Sequence, residues 1–376
     1  MNTEVNPTIS ALFDSAADLI SHKKQWHDYG LICDPCDPKL PLQQPEAFYG
    51  DIEDYIHLIV SIVDFIKDSS NDLLFLKGPK GIGKTTFAKI FNDYCQQLNL
   101  KANYQDAAII LSENPLKHSN SSLTLVKDEV DVILVDNAFH LHHTLRKLQS
   151  LKQTSSEGTP KIVAIMNSTE YEIYRRESIR LGETDYLHCC SMPIFQTSDI
   201  VSLLKKRLIV CSSESDLSNS TFAKIPMIAS LSHGNPGFAL RLLGERIRFS
   251  SNIDDTWITF GISRSHIQGF SPSKSPILRE ILIRELENDY RSSENRDYII
   301  HKELTQLMNK TKSTISHHLS DLLALNLIYE QSTLKDRREK AYRPNKTIIG
   351  LLEHLAFEIS PKETTFITNE GINHAK

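Results

Sequence analysis

The run Gly78-Pro79-Lys80-Gly81-Ile82-Gly83-Lys84-Thr85-Thr86 fits the pattern G-x-x-x-x-G-K-[ST] in full. That spacing serves the binding of a phosphate chain. Glycines permit backbone angles that aim several N–H groups at one anion, and a following helix N-terminus adds positive potential. Lys84 is expected to reach the β- and γ-phosphates of ATP, and Thr85 to hold Mg2+. The expected nucleotide-contacting set is Gly78, Pro79, Lys80, Gly81, Ile82, Gly83, Lys84, Thr85 and Thr86. The context agrees: the apolar run LLFLKG enters the loop, and a helical pattern (Phe87, Ile90, Phe91, Tyr94) leaves it.

Asp136 ends a second apolar run, VILVD, which puts its carboxylate at a strand's carboxyl edge beside the phosphates. With Thr85 it forms the expected Mg2+ pair. Asn137 comes next, where many ATPases of this kind carry an acid that activates the attacking water. An amide cannot take that proton, so hydrolysis is expected to be slow or its base to lie elsewhere. His140, His142 and His143 are close in sequence and read as decoration of the next helix. Asn167 ends the run KIVAIMN, where a polar side chain can touch the γ-phosphate or the water; Ser168 is the near alternative. Arg175, Arg176 and Arg180 lie on or just after the helical segment TEYEIYRRESIR. Arg180 is the preferred candidate for an arginine finger into a neighbouring subunit's ATP. The expected catalytic set is therefore Lys84, Asp136, Asn167 and Arg180.

These residues must be held by an α/β scaffold. LLFLKG, AAIIL, VDVILVDN, KIVAIMNS and YLHCCSM read as five buried strands alternating with helices, which predicts a parallel three-layer core. Before them, Ile56, Ile59, Val60, Val63 and Ile66 predict a helix packed on the sheet. After Phe195 the strands stop, and TSDIVSLLKKRLIV, STFAKIPMIASLSHG and PGFALRLLGERI predict a three-helix lid. The boundaries implied are an N-terminal arm at 1–45, a core at 46–195, a lid at 196–268, a C-terminal block at 269–361 and a tail at 362–376.

The P-loop, Asp136, Asn167 and the three-helix lid together resemble the AAA+ ATPases and their STAND relatives, over residues 46–262. With the C-terminal block, the layout looks most like the origin-recognition and replication-initiator branch, whose members carry a winged helix behind the lid. Two positions depart from that branch. Initiators usually have Asp-Glu where this chain has Asp136-Asn137. Their lid arginine (sensor 2) would fall near Gly237; the available arginine is Arg241, one helical turn later, and the resemblance adds it to the expected nucleotide-contacting set. GPKGIGKTT and HGNPGFALRLL are also similar to STAND-type signalling ATPases.

Residues 276–346 read as a winged helix. Ile277, Leu278, Ile281, Leu282 and Leu286 form the inner face of its first helix, and HKELTQLMN is its second. In TKSTISHHLSDLLALNLI, Ile315, Leu319 and Leu322 turn inward and leave Lys312, Ser313, Ser316, His317 and Ser320 outward. Small polar residues at the front of such a helix suit the major groove of duplex DNA. A hairpin follows, and between Gln331 and Lys346 it carries Lys335, Arg337, Arg338, Lys340, Arg343 and Lys346 against Asp336 and Glu339, a net +4. The expected DNA contacts are Lys312, Ser313, Ser316, His317, Arg337, Arg338 and Lys340. Winged helices also dock proteins, so a protein partner is the alternative.

The bulk properties bound the rest. A net charge of −5 over 376 residues argues against wholesale coating of nucleic acid or anionic membrane, so DNA contact needs a local basic patch. No apolar run approaches a membrane span, and the start lacks the basic-then-apolar order of a secretory signal. The six cysteines read as reduced thiols of a cytoplasmic protein. Cys33 and Cys36 follow His22 and His27, but their spacing is irregular for zinc. The expectation is an ATP-controlled, replication-initiator-like protein of duplex DNA, a slow ATPase able to self-associate through its core. The alternatives are a STAND-like regulator of transcription or defence, a transposition-type ATPase, or an adaptor that binds no DNA.

Overall fold

A computed structural model describes residues 31–37, 40, 53–67, 72–109, 130–141, 145, 160–182, 188–212, 219–248, 270–289, 298–332 and 339–358. The chain divides into two compact units, Met1–Arg264 and Ser265–Lys376.

The first unit is built on five parallel strands. They are β1 (Leu73–Gly78), β2 (Ala102–Asp106), β3 (Val132–Asp136), β4 (Lys161–Asn167) and β5 (His188–Ser191), in the order β2-β3-β4-β1-β5. The central strands are near-continuous apolar runs because helices cover both faces of a parallel sheet. All five residues of β3 are buried, as are six of the seven in β4. The chain crosses from β1 to the far edge, returns through β3 and β4, then passes β1 to reach β5. The order therefore reverses at β1, and in open α/β sheets the crevice at such a switch point, outside the strands' carboxyl ends, is where ligands bind.

Two sequence expectations are corrected here. AAIIL is not the second strand. The strand is the polar ANYQD just before it, and Ala107–Ile109 are helical. Every β2 residue is half-exposed, because β2 is an edge strand and needs no apolar run. The helix before the sheet, α1 (Glu53–Lys67), forms as expected but in a different rotation. It buries Tyr55, Leu58, Ile62, Phe65 and Ile66, and leaves Ile56 and Val60 exposed. The buried stripe carries both aromatic rings and so removes more apolar area from water. Tyr55 stacks on Phe87 with centroids 5.6 Å apart and meets Phe195 edge-on at 6.1 Å.

Helix α2 (Lys84–Gln97) follows β1, and α3 (Ser168–Arg180) follows β4. The lid consists of α4 (Thr197–Val210), α5 (Asn219–Leu231) and α6 (Pro236–Arg248). Leu31–Asp37 lies against this lid. Leu31 bridges to Ser212, and the Ile32 N–H donates to the Cys211 carbonyl at 2.7 Å. That pairing brings Cys33 onto Cys211, and the two form a disulfide across 178 residues of sequence. The expectation of six reduced thiols is thus wrong for this pair. Cys36, Cys95, Cys189 and Cys190 are not in a disulfide.

The second unit contains α7 (Ser275–Asp289), β6 (Ile299–Ile300), α8 (His301–Met308), α9 (Lys312–Ala324), β7 (Ile328–Ser332), β8 (Lys340–Pro344) and α10 (Ile349–Phe357). Its strands form an antiparallel sheet in the order β6-β8-β7. Thr311 caps α9, its Oγ1 accepting the Thr314 N–H, and Ile315, Leu319 and Leu322 face the core. Among the described residues no helix is long and apolar enough to cross a membrane.

Candidate functional site

Gly81 (φ +85) and Gly83 (φ +100) hold the left-handed angles that let the loop curl between β1 and α2. Lys84, 8% exposed, folds back over this loop. Its Nζ donates to the carbonyls of Gly78 at 2.8 Å and Pro79 at 2.9 Å, and to Asn167 Oδ1 at 2.9 Å. The ammonium thus ties the end of β1 to the end of β4.

Four strands end in a row along the carboxyl edge of the sheet: Asp106, Asp136, Asn167 and Gly78 are the last residues of β2, β3, β4 and β1. Asp136 is 3% exposed. Its Oδ2 accepts from the Tyr104 hydroxyl at 2.9 Å and its Oδ1 from the Asn137 N–H at 3.0 Å. Burial and the neighbouring Asp136 carboxylate push the Tyr104 hydroxyl well above the usual phenol range, so it stays a donor. The donors to Asp136 are thus neutral groups, and no basic side chain pairs with it among the described residues. A divalent cation fits such a carboxylate, and the Thr85 hydroxyl lines the same cavity. Ser168 is buried with its Oγ unpartnered among the described residues, and it does not line the cavity.

The cavity has a volume of about 330 Å³, at the small end for ligand pockets. The residues from Lys80 to Thr86, with Asp136, Asn137, Asn167 and Glu170, line its polar end. Tyr55, Phe195, Leu203 and Leu240 give an apolar wall. The lid closes directly on the loop. Asn235 is 1% exposed; its Nδ2 donates to the Lys80 carbonyl at 2.9 Å while its Oδ1 accepts from the Phe238 N–H at 2.9 Å. Gly237 donates its N–H to Gly81 O at 2.9 Å. This close approach explains why no arginine occupies position 237. Arg241 is exposed on α6 and does not line the cavity.

The arginine that does line it is Arg207 of α4, which sequence reasoning missed. It is 4% exposed, and its Nη1 donates to the carbonyls of Asp37 at 2.7 Å and Pro35 at 3.2 Å. Burial pulls its pKa down, against the charges of Cys36, Asp37 and Asp34. Its partners are backbone carbonyls 170 residues away, which leave no local signal. Tyr104 and Asp106 were missed because β2 was misplaced. The signal for Asn235 was present in HGNPG, whose His233 and Gly234 both take positive φ.

Of the helix arginines, Arg175 and Arg176 are held by Glu172 at 2.9 Å each. Burial opposes the charge on Glu172, but the hydrogen bonds and charges of Arg175 and Arg176 hold its carboxyl below the usual range. Arg180 ends α3 exposed, without an ion pair among the described residues.

In the second unit, Lys312, Ser313 and Ser316 lie in the first turns of α9 with His317 exposed beside them. Ser316 Oγ is 2.8 Å from His301 Nε2. Three of the basic residues counted in the hairpin's net +4 meet acids that the count left out. Lys340 pairs with Glu330 at 2.9 Å, Arg343 with Glu285 at 2.9 Å, and Lys346 with Glu285 at 2.8 Å. Glu285 lies 58 residues before Arg343, where a local charge count cannot see it, and Glu330 lies in β7, one residue before the stretch counted. Arg337 and Arg338 lie outside the described residues, as do Lys335, His142, His143, His22 and His27.

No family model matches the chain, and no curated protein matches it. Similar solved structures include the Aeropyrum pernix ORC2 protein in ADPNP–ADP complexes (13% identity, 82% of this chain and 95% of that one, TM-score 0.39). The A. pernix ORC1 protein in complex with DNA is 14% identical over 88% of this chain and 96% of that one, with a TM-score of 0.38. AMPPCP-bound DnaA from Aquifex aeolicus is 13% identical over 83% and 95%, with a TM-score of 0.34. At such identities and scores no property of these proteins passes to this chain. The P-loop, parallel sheet and helical lid that the AAA+ resemblance implied are present in its own coordinates.

Proposed function

We propose that this chain binds ATP with Mg2+ at the P-loop and uses nucleotide state to control duplex-DNA binding by a winged helix in its second unit, in the manner of AAA+ replication initiators. The observation that carries this is the shared cavity of P-loop, Asp136, Asn167 and lid. Lys84 lets go of the Gly78 and Pro79 carbonyls to meet the β- and γ-phosphates. Asn167, already within hydrogen-bond reach of Lys84, orients the γ-phosphate or the attacking water. Thr85 and Asp136 hold Mg2+, which neutralises phosphate charge when bound. Because Asn235 and Gly237 touch the loop that cradles the phosphates, nucleotide occupancy and lid position are mechanically linked. Arg180 is free to reach a second copy's nucleotide.

The same contact favours a second reading, a STAND-like regulator, because the HGNPG segment that resembles that branch sits on the P-loop. A protein with this function would work in the cytoplasm, and the Cys33–Cys211 disulfide is the feature that weighs the other way. The test is a titration of the purified chain with a fluorescent ATP analogue, followed by duplex binding at several salt concentrations with ATP and with ADP. Saturable nucleotide binding and salt-dependent duplex binding that differs between ATP and ADP support the proposal. Nucleotide binding without DNA binding turns it into an adaptor. Failure to bind nucleotide overturns it.

A further inference from the structure

Asn137 leaves the position after the metal-side carboxylate without an acid, and the structure assigns the missing base to Asp106 at the end of the neighbouring strand. This rests on the ATP-hydrolysing reading above. Asp106 pairs in register with Asp136 across the parallel β2–β3 ladder, one strand spacing (about 4.8 Å) along the carboxyl edge. Asn137, which lines the nucleotide cavity, donates its Nδ2 to Asp106 Oδ1 at 3.0 Å. The Ala108 N–H donates to the same oxygen at 3.0 Å. One oxygen of Asp106 is thereby fixed by two donors, and Oδ2 has no partner among the described residues. The residue is half-exposed and stands just behind the cavity lining, joined to it through Asn137, so water reaches it.

The other acidic and hydroxyl groups here are engaged: Glu170, which lines the cavity, is tied through Oε2 to the Asn167 N–H at 2.8 Å as the capping residue of α3. Both oxygens of Asp136 accept hydrogen bonds, from Tyr104 and from Asn137, and in the reading above this carboxylate would hold the metal. The Tyr104 hydroxyl is a donor to Asp136. Asn137 sits at φ +52, a left-handed angle that asparagine tolerates better than most side chains. Its side chain in that conformation joins the cavity wall to Asp106. The amide that cannot accept a proton becomes the bracket for the carboxylate that can.

In the reaction, Asp106 Oδ2 takes one proton from the attacking water as the water oxygen bonds to the γ-phosphorus. The bond from that phosphorus to the β,γ-bridging oxygen breaks, and its electron pair leaves with ADP. Asp106 then passes the proton to solvent. No further reactant is required.

The experiment compares wild type, Asp106→Asn and Asp106→Glu as full chains. It measures phosphate release with and without duplex DNA, and affinity for a fluorescent ATP analogue in the same samples. The expected result is a fall of about 100-fold in kcat for Asp106→Asn, with nucleotide Kd within about 3-fold of wild type. Asp106→Glu keeps a larger share of turnover. Wild-type turnover in Asp106→Asn overturns the assignment and leaves the nucleotide site standing. So does a parallel loss of affinity and turnover, which marks a structural role, and so does a wild type that binds ATP without hydrolysing it. A wild type that binds no ATP overturns the site itself, a result distinguishable from the others because it appears before any substitution is made.

Discussion

Gly237 and Gly81 meet backbone to backbone, the Gly237 N–H donating to the Gly81 carbonyl at 2.9 Å. The first turn of lid helix α6 therefore rests on the loop that is to cradle the phosphates. Asn235 locks the same junction, bridging the Lys80 carbonyl and the Phe238 N–H through its two side-chain atoms. A lid seated in this way cannot move without disturbing the loop's carbonyls. That contact would be the physical basis of the proposed nucleotide-dependent lid position.

Gly237→Ala tests the junction. A Cβ at position 237 would lie 2.8 Å from both Cα and O of Gly81, which are backbone atoms and cannot swing away. Overpacking of this kind costs about 1–3 kcal/mol. The expected outcome is a lower urea midpoint together with ATP affinity weakened by about 10-fold. Nucleotide affinity equal to wild type would show that lid and loop separate freely.

Lys84→Ala removes the side chain that joins β1 to β4. It leaves two loop carbonyls and Asn167 Oδ1 without their donor, at about 1–3 kcal/mol for each acceptor that water cannot reach. Circular dichroism should show the fold intact. Titration with the fluorescent analogue should show binding or turnover abolished. Unchanged affinity and turnover would sink the phosphate-site assignment.

What the sequence made legible was local. The P-loop needs nine consecutive residues, and Asp136 and Asn167 end apolar runs that could only be central strands. The rest depended on distance along the chain. β2 was hidden because an edge strand carries no apolar run, and with it went Tyr104 and Asp106. Helix α1 has two apolar stripes, and periodicity cannot tell which one holds the larger rings. Arg207 and Cys211 meet residues 33–37, far off in sequence, through carbonyls and a disulfide that no spacing rule announces. The hairpin's basic residues were counted without Glu285 and Glu330.

Glu285 gives a pH dependence. It is 5% exposed, with Arg343 Nη2 at 2.9 Å and Lys346 Nζ at 2.8 Å. Burial raises its pKa, but the hydrogen bonds and charges of Arg343 and Lys346 outweigh that and hold the carboxyl below its ordinary value. The folded pKa lies below the unfolded one, so the stabilisation is complete above the unfolded value of about 4.3 and is lost as pH falls through the folded value. Glu285→Gln should lower stability at pH 7 by on the order of 1–3 kcal/mol. It should also flatten the decline in urea midpoint on the acid side. A variant as stable as wild type at pH 7 would show the cluster to be energetically neutral.

The pairing of Lys340, Arg343 and Lys346 with Glu330, Glu285 and Asp289 moves the proposed DNA affinity to a narrower place. Lys335, Arg337 and Arg338 lie outside the described residues, and the proposal assigns the phosphate contact to them. Reversing Arg337 and Arg338 to Glu should weaken binding to every duplex alike and reduce the salt slope by roughly one to two phosphate contacts. At the front of α9, His317 is exposed, and its substitution by Ala should alter discrimination between sequences by about 1–3 kcal/mol if it reads a base. Ser316 is 2.8 Å from His301 Nε2, so Ser316→Ala also loosens α9 from α8 and should cost stability where His317→Ala does not. The measurement is fluorescence anisotropy on a preferred and a scrambled duplex across a salt series, with ATP and with ADP. If the double Glu variant binds like wild type in every condition, this unit is not the main DNA contact and a protein partner becomes the better reading of its exposed helix.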